Sequence, residues 1–141
     1  MPKFIILIFA TIHLACAATH EADVVVYGDA PGGVTAAIQA SRMGKKVILV
    51  SPYGHLGGMT ASGLGWSDIG NDSILGGIAH EFYHRVYQHY QKPEAWIHES
   101  RETFPNQGQG VPALNPATEL ASTFEPGVAE KIFDQMAKNA G

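Results

Sequence analysis

Apolar residues follow three different rhythms along this chain. The first is an unbroken run, Phe4-Ile5-Ile6-Leu7-Ile8-Phe9-Ala10, continued by Thr11-Ile12-His13-Leu14 and closed by the small residues Ala15-Cys16-Ala17-Ala18, with Lys3 in front. A basic start, a short apolar stretch and an A-x-A pattern at Ala15-Cys16-Ala17 predict a signal peptide over residues 1–18, removed to leave 19–141. The stretch is too short to serve comfortably as a bilayer span. In the lipoprotein alternative Cys16 would carry the lipid, but His13 stands where a larger aliphatic residue is wanted. The expected location is secreted or periplasmic.

The second rhythm is β-like. Asp23-Val24-Val25-Val26-Tyr27 is a nearly continuous β-branched run, which suits a strand buried on both faces of a parallel sheet. Gly28-Asp29-Ala30-Pro31-Gly32-Gly33 interrupts it, and Val34 to Met43 reads as a helix whose small residues at 36, 37 and 40 can lie close on a sheet. Gly44 is placed to end that helix, and Val47-Ile48-Leu49-Val50 is a second strand. Strand, glycine turn, helix and strand within residues 23–50 make a compact βαβ unit. The fold class is therefore α/β, a βαβ unit with a parallel sheet; two strands cannot bury both faces of a sheet, so marginal stability is expected of such a unit alone.

The third rhythm has helical spacing. Leu75, Ile78, Ala79, Phe82, Val86 and Tyr90 predict a helix from about Ile74 to Tyr90, capped by Asp72 or Ser73. Val128, Ala129, Ile132, Phe133 and Met136 predict another, opened by Pro126 and ended by Gly141. Residues 51–72 are glycine-rich turns, and 92–126 hold five prolines and no sustained period. A stretch of that length without a pattern suggests a functional loop or an excursion toward another domain. No internal repeat is visible.

Composition narrows the chemistry. The chain has 141 residues, 13 acidic and 9 Lys or Arg, for a net charge of −4; removing residues 1–18 loses only Lys3 and takes it to −5. An acidic chain lacks the basic surplus of a nucleic-acid binder. A single Cys, at position 16, excludes an internal disulfide framework and any multi-cysteine zinc site. Without a basic patch beside them, Trp66 and Trp96 read as packing residues rather than a base-stacking platform.

The chemistry-bearing segment is Gly28-x-Ala30-x-x-Gly33, set between strand and helix. The first glycine permits the tight turn, a small residue at 30 lets backbone approach a pyrophosphate, and Gly33 lets helix and strand pack closely. Unpaired N–H groups and the helix dipole would stabilise a diphosphate without any Lys or Arg. Gly28, Ala30, Pro31, Gly32 and Gly33 are the candidate cradle. One departure stands out: the end of the second strand, where an acid usually meets the ribose hydroxyls, carries Ser51, which offers only a neutral hydrogen bond.

Together with Val47-Ile48-Leu49-Val50 and His55-Leu56-Gly57-Gly58-Met59, this segment resembles the start of an FAD-dependent oxidoreductase, of the group of exported bacterial flavoproteins some of which are labelled xanthan lyase. Gly76-Gly77-Ile78-Ala79-x-Glu81-Phe82-Tyr83 and Phe124-Glu125-Pro126 are similar to that family as well, so the resemblance covers residues 23–141. It implies FAD as cofactor, redox chemistry on an unknown small-molecule or carbohydrate-related substrate, and a position for Gly57, Gly58 and Met59 beside the cofactor. His55, next to the glycine pair, is a further candidate contact. Ala30 in place of the middle glycine and Ser51 in place of the acid are departures from the pattern. Members run to several hundred residues, so the resemblance implies the N-terminal part of a Rossmann-like FAD/NAD(P)-binding domain, an incomplete fragment unlikely to be active alone. It identifies no catalytic residue.

A competing pattern is His80-Glu81-Phe82-Tyr83-His84, an H-E-x-x-H on a predicted helix, which in a zinc protease grips metal with two histidines and uses the glutamate as base. Tyr87 and Tyr90 stand where a metzincin has its glycine and third histidine. Glu99 or Glu102 would have to serve as a distant third ligand. In the resembled family this segment is an ordinary amphipathic helix, so the resemblance implies a solvated helix face here and no metal site. A non-catalytic nucleotide-binding module is the other alternative. A yellow holoprotein, bound zinc, or a compact chain without flavin would distinguish the three.

Overall fold

The computed structural model describes residues 18–141, so the segment read as a signal peptide lies, but for Ala18, outside the described residues. Strand β1 (Val24–Tyr27) pairs in parallel with β2 (Val47–Val50) in the register Val24 to Val47 through Tyr27 to Val50. Helix α1 (Pro31–Arg42) connects them and packs on both strands. Pro31 opens the helix at a position where its missing N–H costs nothing, and Gly44, at φ +78°, follows its end. The predicted βαβ unit is thus present. Its sheet has one open face: Val24 and Val26 are half-buried toward α1, whereas Val25 is 62% and Tyr27 77% exposed, and no element among the described residues covers them.

The glycine-rich segment after β2 contains a one-turn helix, α2 (Gly58–Ala61), that hydrophobic periodicity did not reveal because four residues carry too little pattern. The next predicted helix divides. Asp72–Ile74 form a 3₁₀ turn capped by the Asn71 side chain, Leu75 is extended, and α3 runs from Gly77 to Tyr90 with Gly76 as its N-cap. Gly77 at φ +55° makes the break, a conformation that other L-residues rarely adopt. Asp72, expected to cap the helix, is instead buried and accepts hydrogen bonds from Asn115 Nδ2 at 2.8 Å and Thr118 Oγ1 at 2.7 Å. It thereby anchors an antiparallel pair, β3 (Leu114–Asn115) and β4 (Leu120–Ala121), inside the stretch that had no sequence pattern.

Helix α4 (Pro126–Ala140) matches its predicted bounds and buries all five residues of its predicted stripe. Those residues meet Val34 and Ile38 of α1 and Phe82, Val86 and Tyr90 of α3 in a common core. Phe82 and Phe133 stack with ring centroids 4.4 Å apart at 18°, and Phe124 stands edge-on to Phe82 at 5.7 Å. Two polar ties hold α4 to the βαβ unit. Ser41 Oγ donates to the Ala140 carbonyl at 2.7 Å, and His55, in the loop after β2, bonds through Nδ1 to the Glu130 carboxylate. That hydrogen bond and charge hold the His55 imidazolium above its ordinary pKa although the ring is exposed.

Replacing Phe133 with alanine is expected to destabilise the fold by about 3–5 kcal/mol, against less than about 0.5 kcal/mol for Met43→Gln at an exposed position, as read by urea denaturation. The His55 tie has a defined sign: a raised folded pKa stabilises below the ordinary imidazole value of about 6.5 and ceases to do so as pH rises through the folded value. Glu130→Gln is expected to return the His55 titration, followed by NMR of the ring protons, toward that ordinary value.

Candidate functional site: the turn between the first strand and helix

The turn at the end of β1 is built by exclusion of side chains. Gly28 has φ +128° and donates its N–H to the Val50 carbonyl at 2.9 Å, which extends the β1–β2 pairing into the turn. A Cβ on Gly33 would lie 2.5 Å from the Gly28 carbonyl oxygen and 3.6 Å from Val26 Cγ1, so only glycine lets the first turn of α1 sit this close to the strand. Gly28 and Gly32, by contrast, have open space where a Cβ would be. The first hydrogen bond of α1 runs from Val34 N to Ala30 O at 3.0 Å. Gly32 and Gly33 therefore present first-turn N–H groups that have no partner within the helix, Pro31 presents none, and no side chain caps this end. Ala30 is exposed in the bend. An anion at this concavity would meet unpaired amides and the positive end of the helix dipole.

The structure brings the second glycine segment against the first. Gly57 donates its N–H to the Asp29 carbonyl at 2.7 Å, and a Cβ on Gly58 would lie 3.1 Å from Ala30 Cα. The glycine pair is explained by sterics more than by free amides: Gly57 at φ +109° backs onto the Phe133 ring, where a Cβ would come within 2.7 Å, and its N–H is already engaged. Met59, on α2, is 74% exposed beside the turn. His55 is bonded to Glu130 and points its exposed ring away from the core. Ser51 lies at the end of β2 as expected, but its hydroxyl is not free: Oγ has one proton to share between Asp29 Oδ2, at 2.7 Å, and the Tyr53 carbonyl, and accepts from the Tyr53 N–H at 3.1 Å. Asp29 is the residue that sequence reading passed over. An acid inside the turn, in a chain that lacks one at position 51, was the available signal.

The H-E-x-x-H residues are arranged for a different purpose. Glu81 receives two hydrogen bonds from the Arg42 guanidinium, at 2.7 and 3.0 Å, and one from Arg85 Nε at 3.0 Å, which together hold its carboxyl below the usual carboxylate range. His84 donates through Nδ1 to the Glu119 carbonyl at 2.9 Å and its other nitrogen lies 2.9 Å from Gln88 Nε2. His80 and His84 stack with centroids 6.1 Å apart. Among the described residues no group of three or more His, Cys, Asp or Glu is placed to hold a metal ion. A carboxylate clamped by two arginines is poorly suited to act as a general base.

A separate cavity of about 320 Å³ lies between the end of α3 and the 92–126 segment, lined by Trp96, Phe104, Leu114 and Phe124 with Tyr90 and Glu125 at one side. Tyr90 donates to Glu125 Oε2 at 3.0 Å and accepts from the Glu125 N–H at 2.9 Å; burial, above all, raises its phenol pKa. None of the residues of the turn borders this cavity.

Comparison with known proteins agrees with the geometry. A family model described as FAD dependent oxidoreductase matches residues 23–141. A dihydrolipoyl dehydrogenase from Manduca sexta is 52% identical over 40 residues, which are 28% of this chain and 8% of that protein's length. No solved structure matches significantly. The family match points to FAD as the cofactor. With its parallel strands, its crossover helix and this match over residues 23–141, the chain belongs to the FAD dependent oxidoreductase family.

Proposed function

We propose that this chain forms the diphosphate-binding part of an exported FAD-dependent oxidoreductase, with the turn from Gly28 to Gly33 as the diphosphate cradle. The observation that carries the reading is the close approach of Gly33 to the Gly28 carbonyl, which leaves the unpaired N–H groups of Gly32 and Gly33 at the mouth of an uncluttered bend. The residues fit such a group: open space at Gly28 and Gly32, no acidic side chain in the first turn of α1, and small residues at 30, 57 and 58 around the bend. A bound flavin supplies the hydride or electron chemistry, and the protein supplies binding and orientation. In this reading Pro31 fixes the helix entry, Gly57 and Gly58 form the wall opposite the turn, and Met59 and His55 border the cofactor's far side. Clamping of Glu81 by Arg42 and Arg85 favours flavin chemistry over zinc-dependent hydrolysis. The substrate in this reading is a small-molecule or carbohydrate-related compound whose binding groups lie outside the turn.

The test is direct. The purified protein is expected to be yellow, or to take up FAD with quenching of flavin fluorescence; a colourless protein that quenches no flavin refutes the proposal. Gly33→Ala is expected to lose more than about tenfold in FAD affinity and about 1–3 kcal/mol in stability through overpacking. Ala30→Leu is expected to lose as much affinity while its melting temperature changes little, because residue 30 is exposed and its side chain would fill only the ligand's space.

A further inference from the structure

The turn holds a carboxylate that its phosphate chemistry does not require. Asp29 lies between Gly28 and Ala30 and is only 9% exposed. The sole hydrogen bond of its side chain among the described residues is the one it accepts at Oδ2 from Ser51 Oγ. A carboxylate offers about four acceptor positions, and among the described residues the buried side-chain atoms without a partner are Ser122 Oγ and Thr123 Oγ1, so the unfilled positions of Asp29 are open to solvent or to a ligand. Ser51 occupies the strand end at which dinucleotide-binding turns usually place the acid that receives the ribose hydroxyls. The Gly28 N–H to Val50 carbonyl bond sets the two strand ends side by side, and a 2.7 Å hydrogen bond joins the two side chains.

We propose that Asp29 is the adenosine-ribose acceptor of this chain. The carboxylate has moved from the end of β2 to the end of β1, and Ser51, which stands in the acid's place, positions it. A vicinal pair of ribose hydroxyls supplies the donors that Asp29 lacks. Its negative charge also disfavours a phosphorylated ribose, for which a basic residue would be needed. The inference deepens the FAD reading and rests on it.

The experiment titrates the full chain with FAD and with an FAD analogue whose adenosine is 2′,3′-dideoxy, following flavin fluorescence. The wild type is expected to prefer FAD by about tenfold, the scale of a hydrogen bond to a charged acceptor. Asp29→Ala is expected to bring the preference close to unity by weakening FAD and leaving the analogue unchanged. The double variant Asp29→Ser with Ser51→Glu, which returns the acid to the end of β2, is expected to restore it; should Asp29→Ala fail to fold, this exchange carries the test. Equal binding of the two ligands by the wild type, equal weakening of both by Asp29→Ala, or a double variant without preference would overturn the assignment and leave the FAD reading standing. A wild-type chain that binds neither ligand defeats the FAD reading and this inference with it.

Discussion

The first turn of α1 meets the end of β1 at a separation that leaves no room for a methyl group. Gly33 and the Gly28 carbonyl define that contact, and much of the remaining geometry is linked to it. It sets where the helix begins, and so which amides are left without partners. It also brings the turn within reach of Gly57, whose N–H binds the Asp29 carbonyl. Gly57 in turn rests on Phe133, which stacks on Phe82 in the core of α3 and α4. The bend proposed as the diphosphate cradle is thus backed, in two steps, by the stacked Phe82–Phe133 pair. Preorganisation of this kind matters for a site whose binding groups are backbone amides, since their directions depend on the position of the whole segment.

In an acidic chain, the proposed cradle would hold a diphosphate without cations only if acidic charge were kept away from the phosphates. Glu130 is paired with His55 and Glu81, at the far end of α1, is held by two arginines, whereas Asp29 stays within the turn, bonded to Ser51. The Arg42–Glu81 pair also joins the C-terminal end of α1 to α3. Its partners are about one-third exposed, so it contributes orientation more than stability. The local pattern His-Glu-x-x-His is a by-product of this helix face, in which the glutamate serves the tertiary contact and the histidines lie along the surface.

What could be read from the residues alone was whatever depends on short-range rules. The βαβ unit was legible because β-branched runs, a glycine turn and a small-residue helix each act within a few neighbours, and the bounds of α4 followed from Pro126 and an uninterrupted stripe ending at Met136. The glycine positions of the turn were legible for the same reason. The family followed from the same segments, since the glycines that serve the backbone are also those that carry the resemblance.

Tertiary structure decided the partners. Nothing local distinguishes Asp72 as a helix cap from Asp72 as the anchor of a hairpin over forty residues away, because both roles use the same carboxylate and only the fold supplies Asn115 and Thr118. The stretch from 92 to 126 has no period because buried residues such as Ala113, Leu114, Leu120, Ala121 and Phe124 are held by contacts distant in sequence. Ser51 and Asp29 are separated by a complete helix, and only parallel pairing of β1 with β2 makes them neighbours. The sequence by itself determined the turn and its unpaired amides, because backbone conformation follows from glycine and proline placement. The tertiary structure determined which side chains surround that turn, because the distance between two strand ends is a property of the sheet and not of either strand.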